Sequence, residues 1–256
     1  MTCSSAGITN DIPCVDVPAC GRGGHDDGGG GALLLNWTTV GEGGGAAPAQ
    51  QTRARVCWDE HGLAIRAAVD DASLCSPYTS CGDETYVGAD VVEVFLTPTK
   101  NAPADAPDTY LELDVAPTGA LWAGAINDTR GTDASYCTLA APYCAQFGPL
   151  QPCFGSSTFA GGLTAAARNV SEGWVLRFSI PWVSFAPDFQ PQVTADGATV
   201  PWQSWRLNLY RTDVNAPTSP AADQNASCGA ETEQSSWAHV DSHFHDPPKF
   251  GYAFLV

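Results

Sequence analysis

Glu93 and Glu112 fall in two short runs, Asp90 to Thr97 and Tyr110 to Ala116, at positions that alternate with aliphatic residues. Read as strands, these runs turn Val92, Val94, Leu96, Leu111 and Leu113 to one face and the two glutamates to the other. A carboxyl pair across a sheet is the formal requirement of a glycosidase, one group acting as acid and the other as nucleophile or base. The run Trp205 to Thr212 adds Arg206, Asn208 and Tyr210 to the glutamate face, because Leu207 and Leu209 point the opposite way. Carboxylate, amide, guanidinium and phenol together are the groups needed to bond adjacent hydroxyls. An acidic face arises cheaply in a chain of net charge -17, and the sequence holds no G-x-S-x-G, phosphate loop or metalloprotease helix. Binding without catalysis is therefore the expectation, and glycoside hydrolysis the lesser alternative.

A second feature is the stretch Phe244-His245-Asp246-Pro247-Pro248, in which two prolines beside an aspartate form a turn that cannot continue a helix. It holds Phe244 at a fixed place, where the ring suits a flat ligand or caps a core. Asp70, Asp71, Asp83, Glu84 and Asp90 crowd the segment between two strands, and hard oxygen donors at that density suit calcium, with a solvated acidic loop as the plainer reading. His239, His243 and His245 have no evident acidic or cysteine partner, which favours a structural or rim role over zinc or copper.

The elements that must position these groups read as strands at regular intervals. Arg53 to Trp58 and Leu63 to Val69 flank Asp59-Glu60-His61-Gly62. Tyr110 to Ala116 and Ala120 to Ile126 flank Pro117-Thr118-Gly119, and Leu163 to Val170 and Trp174 to Ile180 flank Ser171-Glu172-Gly173. These predict three hairpins, the last two with glycine where positive φ is needed. Ser236 to Val240 and Gly251 to Val256 complete the set, and no window keeps a helical period beyond two turns. The fold expected is all-β, an antiparallel β-sandwich of jelly-roll type with about eight to eleven strands. Residues 32–256 form that domain. Residues 1–31, with Cys3, Cys14, Cys20 and runs of glycine, read as a cross-linked arm and linker.

Ten cysteines stand against one methionine, and Asn36, Asn127, Asn169 and Asn225 each begin an N-glycosylation sequon. An even cysteine count with sequons and no zinc-finger spacing points to a disulfide-bonded glycoprotein that is secreted, extracellular or on the cell surface. Cys75 and Cys81 bracket the acidic loop and are placed to pair locally. The start Met1-Thr2-Cys3-Ser4 has neither a basic nor an apolar signal region, so the chain reads as a mature fragment, a trimmed piece or the product of an incompletely defined gene, and no run is apolar enough to span a membrane. The excess of carboxylates repels nucleic acid and anionic lipid, leaving neutral ligands and cations as partners.

Seven short motifs occur in an order that resembles family 9 carbohydrate-binding modules, nearest in character to the eukaryotic family 9-like branch. They are Trp58-Asp59-Glu60-His61-Gly62-Leu63, Val69-Asp70-Asp71, Asp90 to Leu96, Gly173-Trp174 with Ile180-Pro181-Trp182, Leu207 to Arg211, Ser236-Trp237, and Phe244 to Pro247 with Phe250-Gly251. The resemblance runs from about residue 33 to the end and implies a calcium-containing sandwich that holds polysaccharide or glycan ends between two aromatic rings. It implies one ring at Phe244, a hydroxyl-binding carboxylate at Glu93 and a polar contact at Tyr210. Tyr86 is the aromatic nearest the second ring, and Glu112 stands where the family has an arginine. With the sheet-face reading, the expected sugar contacts are Tyr86, Glu93, Glu112, Asn208, Tyr210 and Phe244, and the expected calcium ligands Asp70, Asp71, Asp83 and Asp90. The competing class is a structural or adhesive glycoprotein that uses the sandwich to assemble with other extracellular glycoproteins.

Overall fold

A computed structural model describes residues 2–5, 12–21, 31–41, 45–80, 82–99, 109–127, 135–136, 163–185, 192–195, 199–200, 203–214, 228–229, 231–241 and 243–256. Within them the strands are β1 (Cys14–Val17), β2 (Ala32–Leu34), β3 (Thr38–Thr39), β4 (Thr52–Trp58), β5 (Gly62–Asp70), β6 (Val91–Pro98), β7 (Thr109–Val115) and β8 (Leu121–Asn127). There follow β9 (Ser135–Tyr136), β10 (Thr164–Val170), β11 (Gly173–Pro181), β12 (Gln192–Val193), β13 (Thr199–Val200), β14 (Ser204–Val214), β15 (Glu231–Ser236) and β16 (Gly251–Leu255). No described helix is long and apolar enough to cross a membrane.

The strands form a sandwich. One sheet has nine strands, in the order β1-β16-β14-β6-β7-β8-β9 with β15 against β14 and β3 against β15; the other has five, in the order β10-β11-β5-β4-β2. All three predicted hairpins form in antiparallel register. The last two turn as expected, with Gly119 at φ 85° and Gly173 at φ 147°. Gly173 is demanded by space as well, since a Cβ there would lie 2.0 Å from the carbonyl oxygen of Val69.

The core sits between the sheets. Leu63, Ile65 and Val69 of β5 and Trp174, Leu176 and Phe178 of β11 meet Val92, Val94 and Leu96 of β6, Leu111 and Leu113 of β7, and Leu207 and Leu209 of β14. The aliphatic sets therefore face inward as period-2 alternation requires, which fixes the direction of every side chain between them. β14 is the spine: it pairs with β6 along most of its length, with β16 through Ser204–Leu207 and with β15 from Tyr210 onward.

The N-terminal arm is more structured than its composition suggests. Its β1 runs parallel to β16, with Cys14 opposite Tyr252 and Val17 opposite Leu255, and Val17 is fully buried in the core. Disulfides Cys3–Cys14 and Cys20–Cys57 fasten it to itself and to β4. Cys75 bonds not to Cys81, as local spacing suggests, but to Cys228, 153 residues away. The chain doubles back, and adjacency in space overrides adjacency in sequence. Cys81, Cys137, Cys144 and Cys153 lie outside the described residues, and so do the predicted sequons' Asn225 and the Gly23-to-Gly30 stretch.

Candidate functional site

The outer face of the nine-stranded sheet carries the groups that alternation assigned to it. Cross-strand pairing sets two rows side by side: Tyr210, Glu93, Asp114 and Trp122 lie abreast on β14, β6, β7 and β8, and Asn208, Phe95, Glu112 and Gly124 form the next row. Neighbouring strands are spaced about 4.8 Å apart. Glu93, Glu112 and Asp114 accordingly converge until one oxygen of each lies within 4.8 Å of the others, and all three are buried.

Aromatic side chains ring this carboxyl cluster. Phe95, Tyr110, Trp122, Tyr210 and Phe250 form its buried wall, with Tyr86 and Phe244 half-buried at its edge. Phe244 stacks on Tyr210 with centroids 4.2 Å apart and planes at 13°. Tyr86 meets Trp122 edge-on at 5.3 Å. The indole of Trp122 lies over Gly124, where a Cβ would come within 2.4 Å of it, so glycine is what lets the ring lie flat against the sheet.

The Pro-Pro corner is fixed from three sides. Arg206, buried on β14 with its guanidinium 4.0 Å above the Tyr252 ring, donates from Nη2 to the carbonyl oxygens of Pro247 and Pro248. The Tyr210 hydroxyl donates to the Phe244 carbonyl at 2.9 Å. His245 reaches down so that Nδ1 contacts the Tyr110 hydroxyl and stands 3.7 Å from Glu112 Oε2. Asn208 is spent on the neighbouring segment: its Nδ2 donates to the Ala238 carbonyl and its Oδ1 accepts from the Ala238 N–H, both at 2.8 Å. Asn208 and Tyr210, expected as sugar contacts, thus hold the Trp237-to-Phe244 loop in place over the sheet.

Electrostatics separate the carboxyls from an ordinary wet face. Burial, reinforced by Glu93, pushes Glu112 well above the usual carboxyl range; burial and then Glu112 and Glu93 do the same to Asp114. Three negative charges at this spacing and depth repel one another strongly, which favours protonated forms within the cluster. No other residue donates to either oxygen of Asp114 or to Oε2 of Glu112, so the shared hydrogen bond between these two carboxyls is what remains to them. His245 is pushed down by burial and by His243, so it faces Glu112 as a neutral ring.

The predicted calcium ligands divide. Asp71 and Asp90 come together with Asp213 of β14, all buried and with ligand oxygens within 4.8 Å of one another. Asp70 turns outward to a two-pronged pair with Arg53, and Asp83 accepts from the backbone N–H groups of Thr79 and Ser80. Asp70 and Asp71 are neighbours on extended chain and so must point to opposite sides. Arg211 enters the cluster from β14, with Nη2 3.2 Å from Asp71 and 3.4 Å from Asp213. Asp90 accepts from the N–H groups of Cys75 and Val214, yet burial still lifts it to about 7. Three carboxyls against one guanidinium leave an excess of negative charge among hard oxygen donors, a set that fits a calcium ion. Asp213 was missed because the sequence places it far from the acidic loop; its position two residues beyond Arg211 on one strand face was the available signal.

Two further site residues were within reach. Asp114 shares the parity of Glu112, and Trp122 shares that of Gly124 and Ile126, so extending alternation to β7 and β8 together identifies both. Among the described residues no histidine joins a metal-ligating group: His239 lies 3.4 Å from Asp241, His243 is exposed and His245 meets Glu112 and Tyr110.

No known family profile and no curated protein sequence matches the chain. Solved structures do. A protein from Bacteroides uniformis, assigned provisionally as carbohydrate-binding, superposes with a TM-score of 0.57 at 13% identity, over 95% of this chain and 99% of that one. A family 9 carbohydrate-binding module from Caldicellulosiruptor kristjanssonii, solved with cellotriose, superposes with a TM-score of 0.51 at 13% identity, over 94% and 93%. The chain has the fold of a family 9 carbohydrate-binding module.

Proposed function

We propose that this protein binds carbohydrate, without cleaving it, on the outer face of the nine-stranded sheet beneath the Phe244–His245 corner. The observation that carries the reading is chemical: the buried carboxyls of Glu112 and Asp114 have spare acceptor capacity that no residue beyond the pair fills, and half-buried rings of Tyr86 and Phe244 border them. A polyhydroxy ligand supplies several donors at once and an apolar C–H face for the rings. The fold shared with a module solved with cellotriose supports the same ligand class. Phe244 and Tyr86 are the stacking rings, Glu93 and Glu112 the hydroxyl acceptors, and Asn208 and Tyr210 the supports of the corner. Binding without cleavage is the reading that the fold shared with carbohydrate-binding modules supports.

Calcium belongs, in this reading, with Asp71, Asp90 and Asp213, as a structural ion that ties β14 to the acidic loop and stabilises the fold by binding only the native state. Paired cysteines suit an oxidising, extracellular setting, where glycans are the abundant partners.

Calorimetric titration with cellotriose and a glycan panel tests the proposal. Binding between about 1 mM and 1 μM, or roughly -4 to -8 kcal/mol, is expected, weakened by Phe244→Ala and by Glu93→Gln. Absence of saccharide binding by the folded protein refutes it. A second reading has one observation in its favour: Phe95, Tyr110 and Tyr210 are fully buried, so the site's floor is covered by the corner. A purely adhesive domain needs no access to that floor, and exchange protection of the corner that saccharide leaves unaltered would decide for it.

A further inference from the structure

Positive charge in this acidic molecule is confined. Of its eleven lysines and arginines, Arg22, Lys100 and Arg130 lie outside the described residues. Arg206 and Arg211 are buried in the nine-stranded sheet, 2% and 1% exposed, and Lys249 sits 3.4 Å from Asp241. The remaining five, Arg53, Arg55, Arg66, Arg168 and Arg177, all project from the outer face of the five-stranded sheet, where they line one open groove of about 800 Å³. Register makes the clustering specific: Arg55, Arg66 and Arg177 are direct cross-strand neighbours on β4, β5 and β11. Like charges directly opposite one another destabilise a sheet, and here three stand abreast.

Arg53 is neutralised by Asp70. Arg55 donates to the Gly31 carbonyl, which carries no charge. Arg66 and Arg168 have no carboxylate partner among the described residues. Between the arginines the floor is small and apolar, made by Ala68, Ala166 and Val175 at the same outward positions.

We propose that this groove is a second binding site, on the opposite face of the sandwich from the Glu93 cluster, and that its ligand is an acidic polysaccharide whose charge is carried by uronate carboxylates. Guanidinium forks match carboxylates two bonds at a time. The arginines abreast repeat at the inter-strand spacing of about 4.8 Å, a sparse ladder suited to a polymer with one carboxylate per sugar. The alanine and valine floor accepts the C–H faces between those charges. Charge density decides against nucleic acid: a duplex carries one charge per about 1.7 Å, and the net charge of -17 on the whole chain opposes so dense an anion more than a dilute one.

The test is calorimetric titration of the intact protein with de-esterified oligogalacturonate at low and at physiological salt. Saturable binding that weakens with salt is expected, reduced at least about tenfold by Arg66→Gln with Arg177→Gln. Arg66→Lys with Arg177→Lys, which keeps the charge but loses the forks, should fall between the two. Phe244→Ala should leave uronate affinity unchanged, and cellotriose should not compete, which separates this site from the proposed sugar site. Melting curves confirm that each variant is folded. The proposal is overturned by absence of binding, by binding that the double glutamine variant retains, by equal affinity for single-stranded DNA, or by sedimentation showing that the groove is filled by a second copy that the same substitutions release.

Discussion

Arg211 offers the sharpest test of how the fold tolerates its buried acids. It is 1% exposed, its Nη2 reaches both Asp71 and Asp213, and its Nη1 donates to the Gln50 carbonyl at 3.1 Å. Arg211→Met keeps the volume and removes the cation that bridges the buried Asp71 and Asp213. Breaking a buried pair from one side costs about 3–5 kcal/mol, because the partner charge is left uncompensated. For a chain of this size each kcal/mol is worth about 2–4 °C, so the melting temperature in chelator should fall by about 6–20 °C. The deficit should be pH-dependent. Asp90 is lifted from 3.8 to about 7 by burial, and Asp71 is raised for the same reason, so acid supplies protons that replace the lost guanidinium. The loss should therefore be larger at pH 8 than at pH 5. Adding Asp71→Asn should recover part of it, as coupled neighbours require. Calcium should narrow the gap further if it binds these carboxyls. Circular-dichroism melts in EDTA and in calcium measure all four arms. A shift below about 2 °C in EDTA at pH 8 would refute the reasoning, since it would mean that the three acids carry no charge for Arg211 to balance.

Three other outcomes are expected. Glu112 and Asp114 titrate higher folded than unfolded, so the stability they contribute is full below their ordinary values of 4.5 and 3.8 and is lost as pH rises through the folded ones; Glu112→Gln should flatten that decline and raise the melting temperature at pH 7, and a lower one at every pH would count against proton retention. Gly173→Ala places a methyl 2.0 Å from the Val69 carbonyl at φ 147° and should cost several kcal/mol or prevent folding, which urea titration reads directly. Paired Cys75→Ser and Cys228→Ser substitutions should cost about 2–5 kcal/mol, with peptide mapping of the parent confirming the bridge; a Cys75–Cys81 peptide would refute the assignment.

Much of the fold was legible because its signal is local and periodic. Val92, Val94 and Leu96 alternate with Glu93 and Phe95, and once the aliphatic set is assigned inward the outward set follows without any knowledge of neighbours. The Gly119 and Gly173 turns were equally readable, because positive φ is a property of single residues. Legibility failed where long-range contact decides. Nothing near Cys75 marks Cys228 as its partner, and nothing in the glycine-rich arm announces that Cys14–Val17 will pair with the last strand. Ser236 to Val240 was expected as a strand, but β15 ends at Ser236; the Trp237 N–H still donates to the Leu209 carbonyl, and beyond it Asn208 captures Ala238. The site shows the same division: alternation found Glu93, Glu112 and Tyr210, whereas the role of Tyr210 as a prop for Phe244 depends on a turn folding back from 34 residues away.

The two outer faces of the sandwich answer one physical problem in opposite ways. A sheet face that gathers like charges must neutralise, protonate or expose them. On the nine-stranded sheet the carboxyls are roofed by aromatic rings, so solvent cannot screen them, and burial pushes Glu112 and Asp114 toward their neutral, hydrogen-bonding form. On the five-stranded sheet the guanidinium groups cannot shed their charge at any ordinary pH, and they are left half-buried or exposed where water and counter-ions screen them. The first arrangement suits a neutral ligand that brings hydroxyl donors, and the second an anionic one that replaces counter-ions. Ligand charge, more than ligand size, is therefore the property by which the two faces should discriminate, and salt should weaken binding at the arginine face while leaving the carboxyl face nearly indifferent.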